Sequence, residues 1–341
     1  MSRVNPASRL TTKALIAWST HIKWPQQRPF HSGPQPVPMA GSLDSLSVAD
    51  FQHITKNLSQ PVIFEGPLTN AASLPAMKSW FNGRGLNKHY FQDVHDTEVV
   101  YELMGPRPAL DGSTKPSAFY SSPEFLQAMS ETPEWTHGRQ DLAPQFFSFS
   151  GPLSLFIAAL DSNISPSCDA PVTKLYIAQN SLSSLPAVLQ KDLPTPSLIT
   201  NSGKGDVYGT SIWLGLEETY TPLHRGPNPN ILFQMHGSKL LRLTTADIGE
   251  KLFHRVQATL GQQGSSRFRT QDMMQGPERD MLDHEVWREA SGDFMEARLS
   301  PGSALFIPYG WWHSVRSSHQ DGRLNASVNW WFRYRQFRQR L

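Results

Sequence analysis

The stretch TPLHRGPNPNILFQMHGSKLLRL, residues 221–243, organises the reading of this 341-residue chain. Two short apolar runs, NILFQM and KLLRL, flank His236-Gly237. If that pair forms a two-residue turn, with glycine supplying a positive φ, Met235 pairs with Ser238 and Gln234 with Lys239. Strand faces alternate and cross-strand partners share a face, so Asn230, Leu232 and Gln234 lie with Lys239, Leu241 and Leu243. Lys239 then projects from a largely apolar face, where an ammonium is costly unless an anion meets it, and a ligand carboxylate answers that need. An exposed turn lysine that snorkels to solvent is the plainer alternative. Upstream, His224 and Gly226 are two apart and share a face if TPLHRG is a strand, and His313 follows in PYGWWHSV. Each histidine alone reads as a hydrogen-bonded core or surface residue. Grouped with the lysine among strands, they read as a site.

Working outward, the chain after residue 170 is a series of short strands with Pro and Gly punctuation: KLYIAQ, DVYGTSIWLGL, NILFQM, KLLRL, DFMEARL, ALFIPYG, WWHSVRS and RLNASVNWWFR. This texture predicts a barrel or sandwich. Helical spacing marks SSLPAVLQKDL and ADIGEKLFHRVQATLGQQ, and GQQGSSRFRTQDMMQGPERD reads as a long surface loop. Before residue 170, SVADFQHITKNL has Ser47 as N-cap, PVIFEG is a buried-strand candidate, and PEFLQAMSE and LSLFIAALDSN are helical. No internal repeat appears. The expected architecture is mainly β with a helical N-terminal part: residues 33–47 a linker, 48–170 a helical or mixed part packed on a barrel of residues 171–335, and 336–341 a basic tail.

Residues 1–32 hold five of the 31 basic residues and none of the 29 acidic ones. With scattered Ser and Thr and an Arg28-Pro29-Phe30 sequence near its end, this segment reads as a mitochondrial transit peptide, which places the protein in the matrix. Its removal takes the net charge from +2 to −3. A folded part with that charge disfavours nucleic acid as a partner. The arginines of WWFRYRQFRQRL read instead as a surface helix or a homodimer contact through the C-terminal segment. The lone Cys168 excludes an intrachain disulfide and a cysteine-based zinc site. No apolar run reaches the ~18–20 residues of a membrane-spanning helix. Asn201–Asp206 lacks P-loop spacing and reads as a turn, while His95-Asp96 and His284-Glu285 read as surface pairs.

The order of the Lys239 hairpin, PGSALFIPYGWWHSVRS and SVNWWF, with LYIAQNSLSSLPAVLQKDLPTPS opening the domain, resembles the JmjC-domain branch of the cupin-like iron(II)- and 2-oxoglutarate-dependent dioxygenases. The resemblance covers roughly residues 45–335 and is closest to small hydroxylase-like members. It implies a double-stranded β-helix (jelly-roll, cupin) fold and an iron held by two histidines and one carboxylate. On that pattern His224 is the first ligand and His313 the last. Thr221 and Lys239 hold the far carboxylate of 2-oxoglutarate, Tyr176 and Asn230 line its pocket, and Asn329 lies nearby. Trp311 and Trp312 form barrel wall. The substrate would be a protein side chain or a small molecule.

The remaining ligand position is residue 226, a glycine, which can coordinate nothing through a side chain. Three readings stay open. Two histidines with 2-oxoglutarate hold iron and support a weak hydroxylase, a halide fills the gap, or the barrel persists as a binding or scaffold module without turnover. Asp206 and Glu218 are acids near enough in sequence to substitute.

Overall fold

The computed structural model describes residues 33–43, 46–57, 59–65, 74–83, 85–105, 117–130, 132, 145–202, 206–262, 271–289 and 292–333. The transit-peptide reading of residues 1–32 and the tail 336–341 lie outside them. The N-terminal part supplies strands β1 (Gln35–Pro36), β2 (Met39–Ala40), β3 (Val62–Phe64), β4 (Phe81–Asn82), β5 (Gly85–Leu86), β6 (Glu98–Met104) and β7 (Phe146–Pro152). Next come β8 (Leu175–Ser181), β9 (Val207–Leu216), β10 (Tyr220–Arg225), β11 (Asn230–His236) and β12 (Lys239–Thr244). The last four are β13 (Met295–Leu299), β14 (Ala304–Ile307), β15 (Trp312–Ser317) and β16 (Leu324–Phe332).

Besides the separate two-stranded pair β4-β5, the described residues form two large sheets, a five-stranded one ordered β1-β13-β12-β15-β10 and a nine-stranded one ordered β2-β3-β14-β11-β16-β9-β8-β6-β7. From β9 onward the chain passes back and forth between these two, except that β12 and β13 are neighbours in the smaller one, as in a double-stranded β-helix. Three apolar cores follow from this arrangement. Leu232, Leu305 and Ile307 of the larger sheet meet Leu241, Leu243 and Leu299 of the smaller one in the interior. Alternate residues of the larger sheet, such as Ile231, Phe233 and Trp330, pack outward on the N-terminal elements, including the helices Val48–Gln52 (α1) and Leu153–Ile164 (α2). Leu240 and Trp312 of the smaller sheet pack outward on the helices Ala246–Leu260 (α3) and Gly276–Asp283 (α4).

Local signals account for several boundaries. Ser47 Oγ accepts a hydrogen bond from Asp50 N at 3.1 Å and starts α1, and Gly261, at φ +65°, closes α3. Gly249 in α3 sits where an added Cβ would lie 2.2 Å from the Trp312 ring. Gly249→Ala is therefore expected to destabilise the fold by about 1–3 kcal/mol despite alanine's better helix propensity. A fall in the urea midpoint at unchanged slope checks this; an unchanged midpoint would mean that α3 can shift off Trp312.

Four expectations are corrected. First, β11 and β12 do not form a hairpin: β11 lies between β14 and β16, β12 between β13 and β15. His236-Gly237 is instead a corner where the chain changes sheets, and Gly237 has φ +67° with its Cβ position 2.8 Å from the Leu324 carbonyl oxygen. Second, the expected surface loop of residues 261–280 is helical in its described second half, where a short helix Gln271–Met274 is followed by the start of α4, while residues 263–270 lie outside the described residues. Third, Glu285 is buried and paired with Arg255 at 2.5 Å, so His284-Glu285 is not a surface pair. Fourth, residues 33–47 are not merely a linker, because β1 pairs parallel with β13 and β2 with β3, joining both sheets. The N-terminal part likewise gives β3, β6 and β7 to the larger sheet. No helix among the described residues is long and apolar enough to cross a membrane.

Candidate functional site

One cavity, about 760 Å³ including its open mouth, holds every residue singled out above for the site: Tyr176, Thr221, His224, Gly226, Asn230, Lys239, His313 and Asn329. Its walls are the inner faces of both sheets, which explains how Lys239 and Asn230 come together without a hairpin. The alternation of faces along β11 and β12 is as expected. Only their shared ladder is absent.

His224 and His313 are directly opposed on the antiparallel strands β10 and β15, with ring centroids 4.2 Å apart. In each ring Nδ1 lies against a backbone carbonyl two residues earlier, Pro222 O at 2.8 Å and Trp311 O at 3.4 Å. Such a contact fixes the tautomer in which Nδ1 carries the proton and Nε2 the lone pair, the arrangement common in metal-binding histidines. Thr221 and His224 are three residues apart and would face opposite ways on a regular strand. A register shift between them turns both toward the cavity. A second shift, between Ile177 and Asn180, with Gln179 at φ +52°, does the same for Tyr176 and Gln179.

The Lys239 ammonium is buried, donating to Ser327 Oγ at 2.6 Å and to the Tyr176 hydroxyl at 3.3 Å. It also lies over the rings of Tyr176 and Trp213, at 5.7 and 5.9 Å from their centroids. These contacts hold the cation in place within a low-dielectric wall, where its attraction for an anion entering the cavity is strong. Behind it, Trp213 Nε1 donates to Asn329 Oδ1 at 3.0 Å, and Asn329 Nδ2 to Asn230 Oδ1 at 3.2 Å. That chain orients the two amides facing the cavity. Trp213, Arg225, Met273 and Trp331 also line it and were not anticipated. Met273 could not be, because it belongs to the segment read as surface loop.

Gly226 follows the end of β10, at the cavity mouth. A Cβ there would be 3.5 Å from Trp331 Nε1 and 3.7 Å from Asn228 O, both ordinary contacts, so a side chain has room. Asp206 and Glu218 are engaged elsewhere, Asp206 with Arg333 at 3.8 Å and Glu218 with Lys174 at 3.6 Å. Among the described residues no three His, Cys, Asp or Glu side chains gather closely enough to hold a metal ion.

Burial lowers the pKa of His313 to about 4, more than offsetting the contact with Trp311 O that raises it, so the imidazole is neutral at physiological pH. Because the folded value lies below the unfolded ~6.5, the unfolded chain binds the extra proton first. The stability contribution is complete above pH 6.5 and is lost as pH falls toward 4, about 3 kcal/mol in all. In metal-free protein the urea midpoint should drop over that window, and His313→Gln should flatten the drop; equal slopes in both would show that other groups cause it.

Residues 48–337 match the cupin-like domain family. Among curated proteins, the chain is 29% identical over 163 residues to lysine-specific demethylase JMJ30 of Arabidopsis thaliana, covering 48% of this chain and 34% of that one. It is 28% identical over 158 residues to lysine-specific demethylase 8 of Xenopus tropicalis, covering 46% and 32%. A longer match, 22% over 298 residues, covers 85% of this chain and 49% of lysine-specific demethylase JMJ31 of Arabidopsis thaliana. The first two matches span about a third of those relatives' lengths. With its two-sheet barrel, opposed histidines and buried lysine, and with a family match over most of its length, the chain belongs to the cupin-like domain family, in its JmjC branch.

Proposed function

We propose that this chain is an iron(II)- and 2-oxoglutarate-dependent oxygenase of the hydroxylase-like JmjC type, with an incomplete metal site. The observation that carries this is the meeting of a buried ammonium, Lys239, and two tautomer-fixed histidines in one cavity. The residues fit 2-oxoglutarate well: Lys239, with Thr221, would take its far carboxylate, while Tyr176, Asn230 and Asn329 would flank its chain. They fit iron in part, because His224 and His313 supply two neutral nitrogen donors and position 226 supplies none. When bound, iron with 2-oxoglutarate and O₂ supplies a two-electron oxidation coupled to release of succinate and CO₂.

The protein's own contribution is to bind and orient. Neutral His313 keeps its lone pair down to acid pH, and Lys239 sets which end of the dianion enters first. The half-apolar walls formed by Leu232, Ile307 and Val315 exclude water around the reacting end.

Gly226, with the nearby acids held elsewhere, favours a second reading, a pocket that binds 2-oxoglutarate without turnover. Succinate formation by residues 33–341 with iron(II), with and without chloride, separates the readings. Iron-dependent succinate supports the oxygenase, dependence on chloride points to a solution anion at position 226, and binding without succinate leaves the second reading. The substrate we propose is a protein side chain or a small molecule, and the matrix location rests on the composition of residues 1–32.

A further inference from the structure

The five-stranded sheet has a second cavity on its outer face, behind the first. Residues that alternate with the inner wall project into it. Lys239, Thr221 and Val315 face inward, whereas their neighbours Leu240, Tyr220 and Arg316 line the outer cavity. The ladder registers place Arg298 opposite Leu240, Leu240 opposite Arg316, and Arg316 opposite Tyr220, forming one row across β13, β12, β15 and β10. Helix α4 adds Arg279 and Asp283, four residues apart and so on one helical face. The space is about 750 Å³ including its mouth.

Three guanidiniums converge there. Arg316 lies over the Trp287 ring at 4.0 Å and Arg279 over Tyr220 at 4.8 Å, aromatic backing that holds each plane in place. Neither Arg316 nor Arg298 makes a side-chain hydrogen bond or ion pair with any described residue, while Arg279 Nη1 is 3.4 Å from Asp280 Oδ1. Two polar atoms of the lining, Arg279 Nε and Ser318 Oγ, are buried with no hydrogen-bond partner among the described residues. Native interiors rarely leave such groups unmet, and two in one cavity call for a ligand rich in acceptors. The two carboxylates of the lining are engaged by bases, Glu218 by Lys174 and Asp283 by Arg288, each at 3.6 Å. Burial and the neighbouring Arg242 charge lower the pKa of Arg316, and the carboxylates of Asp283 and Glu296 offset part of that shift. Burial raises the pKa of Tyr220, which therefore stays protonated and able to donate.

We propose that this outer cavity is a second ligand site, for a small molecule carrying a phosphate group held by Arg279, Arg298 and Arg316, with Tyr220 and Ser318 donating their hydroxyl protons. A phosphate suits it better than a lone carboxylate, which one guanidinium satisfies, because donors here come from the sheet and from the helix. The site does not depend on the cofactor reading.

Calorimetric titration with inorganic pyrophosphate tests it, using native protein, Arg316→Gln, Arg298→Gln, Tyr220→Phe and Lys239→Met, each checked for cooperative unfolding. Native protein and Lys239→Met should bind alike. Either arginine change should weaken binding about tenfold or more, and Tyr220→Phe severalfold. Should Arg316→Gln fail to fold, the exposed Arg298 carries the test. No binding by native protein, equal binding by the outer-face variants, or loss only in Lys239→Met would overturn the proposal.

Discussion

Lys239→Ala is expected to abolish 2-oxoglutarate binding. The ammonium is buried between Ser327, Tyr176 and Trp213, so a ligand carboxylate meeting it forms a charge-assisted contact away from water. Truncating one partner of such a pair costs about 2–5 kcal/mol, a loss of at least roughly 30-fold in affinity. Lys239→Met keeps most of the stem volume and removes the charge, which separates the electrostatic loss from a packing defect. Trp213 lies beside the ammonium and gives a fluorescence readout that needs no turnover. Retained binding in both variants would refute the placement of 2-oxoglutarate in this cavity.

Gly226→Asp is the second large effect. The space beyond the α-carbon is open to Trp331 Nε1 and Asn228 O at ordinary contact distances, and position 226 adjoins the strand that bears His224. A carboxylate there adds a third donor and a negative charge. Changes to groups that merely orient metal ligands shift affinity or activity about 10- to 100-fold, and restoring a direct ligand should gain at least that in iron affinity. If the native chain is silent and the variant makes succinate, one residue separates an intact pocket from turnover. If iron affinity does not rise, the paired histidines are not the metal site, and the Lys239 result then decides whether 2-oxoglutarate still binds.

Much of the site was legible in the sequence because β-strand alternation survives errors of topology. Lys239 was placed with Asn230 and Leu232 through a hairpin that does not exist, yet the three share an interior because both strands keep their inward parity. The resemblance then joined His224 to His313 across a separation that periodicity cannot bridge. Less visible were the register shifts at Thr221–His224 and Ile177–Asn180, since a bulge depends on the partner strand and leaves no composition of its own. Met273 and Arg279 were hidden for a different reason: their segment is rich in Gln, Gly and charge, and its short helices are held by packing of Met281 and Leu282 on the outer core. The two-residue strands at 35–36 and 39–40 fell below any pattern a sequence can display.

Those two small strands bear on the order of events at the ribosome. Gln35 pairs with Met295, so its partner is synthesised 260 residues later, whereas Met39 pairs with Ile63 only a short distance on. At typical elongation rates of about 5–20 residues per second, Gln35–Pro36 waits on the order of tens of seconds for its ladder. Gln35–Pro36 is thus among the last segments to be locked into the barrel, and through most of translation it has no ladder to join in the smaller sheet.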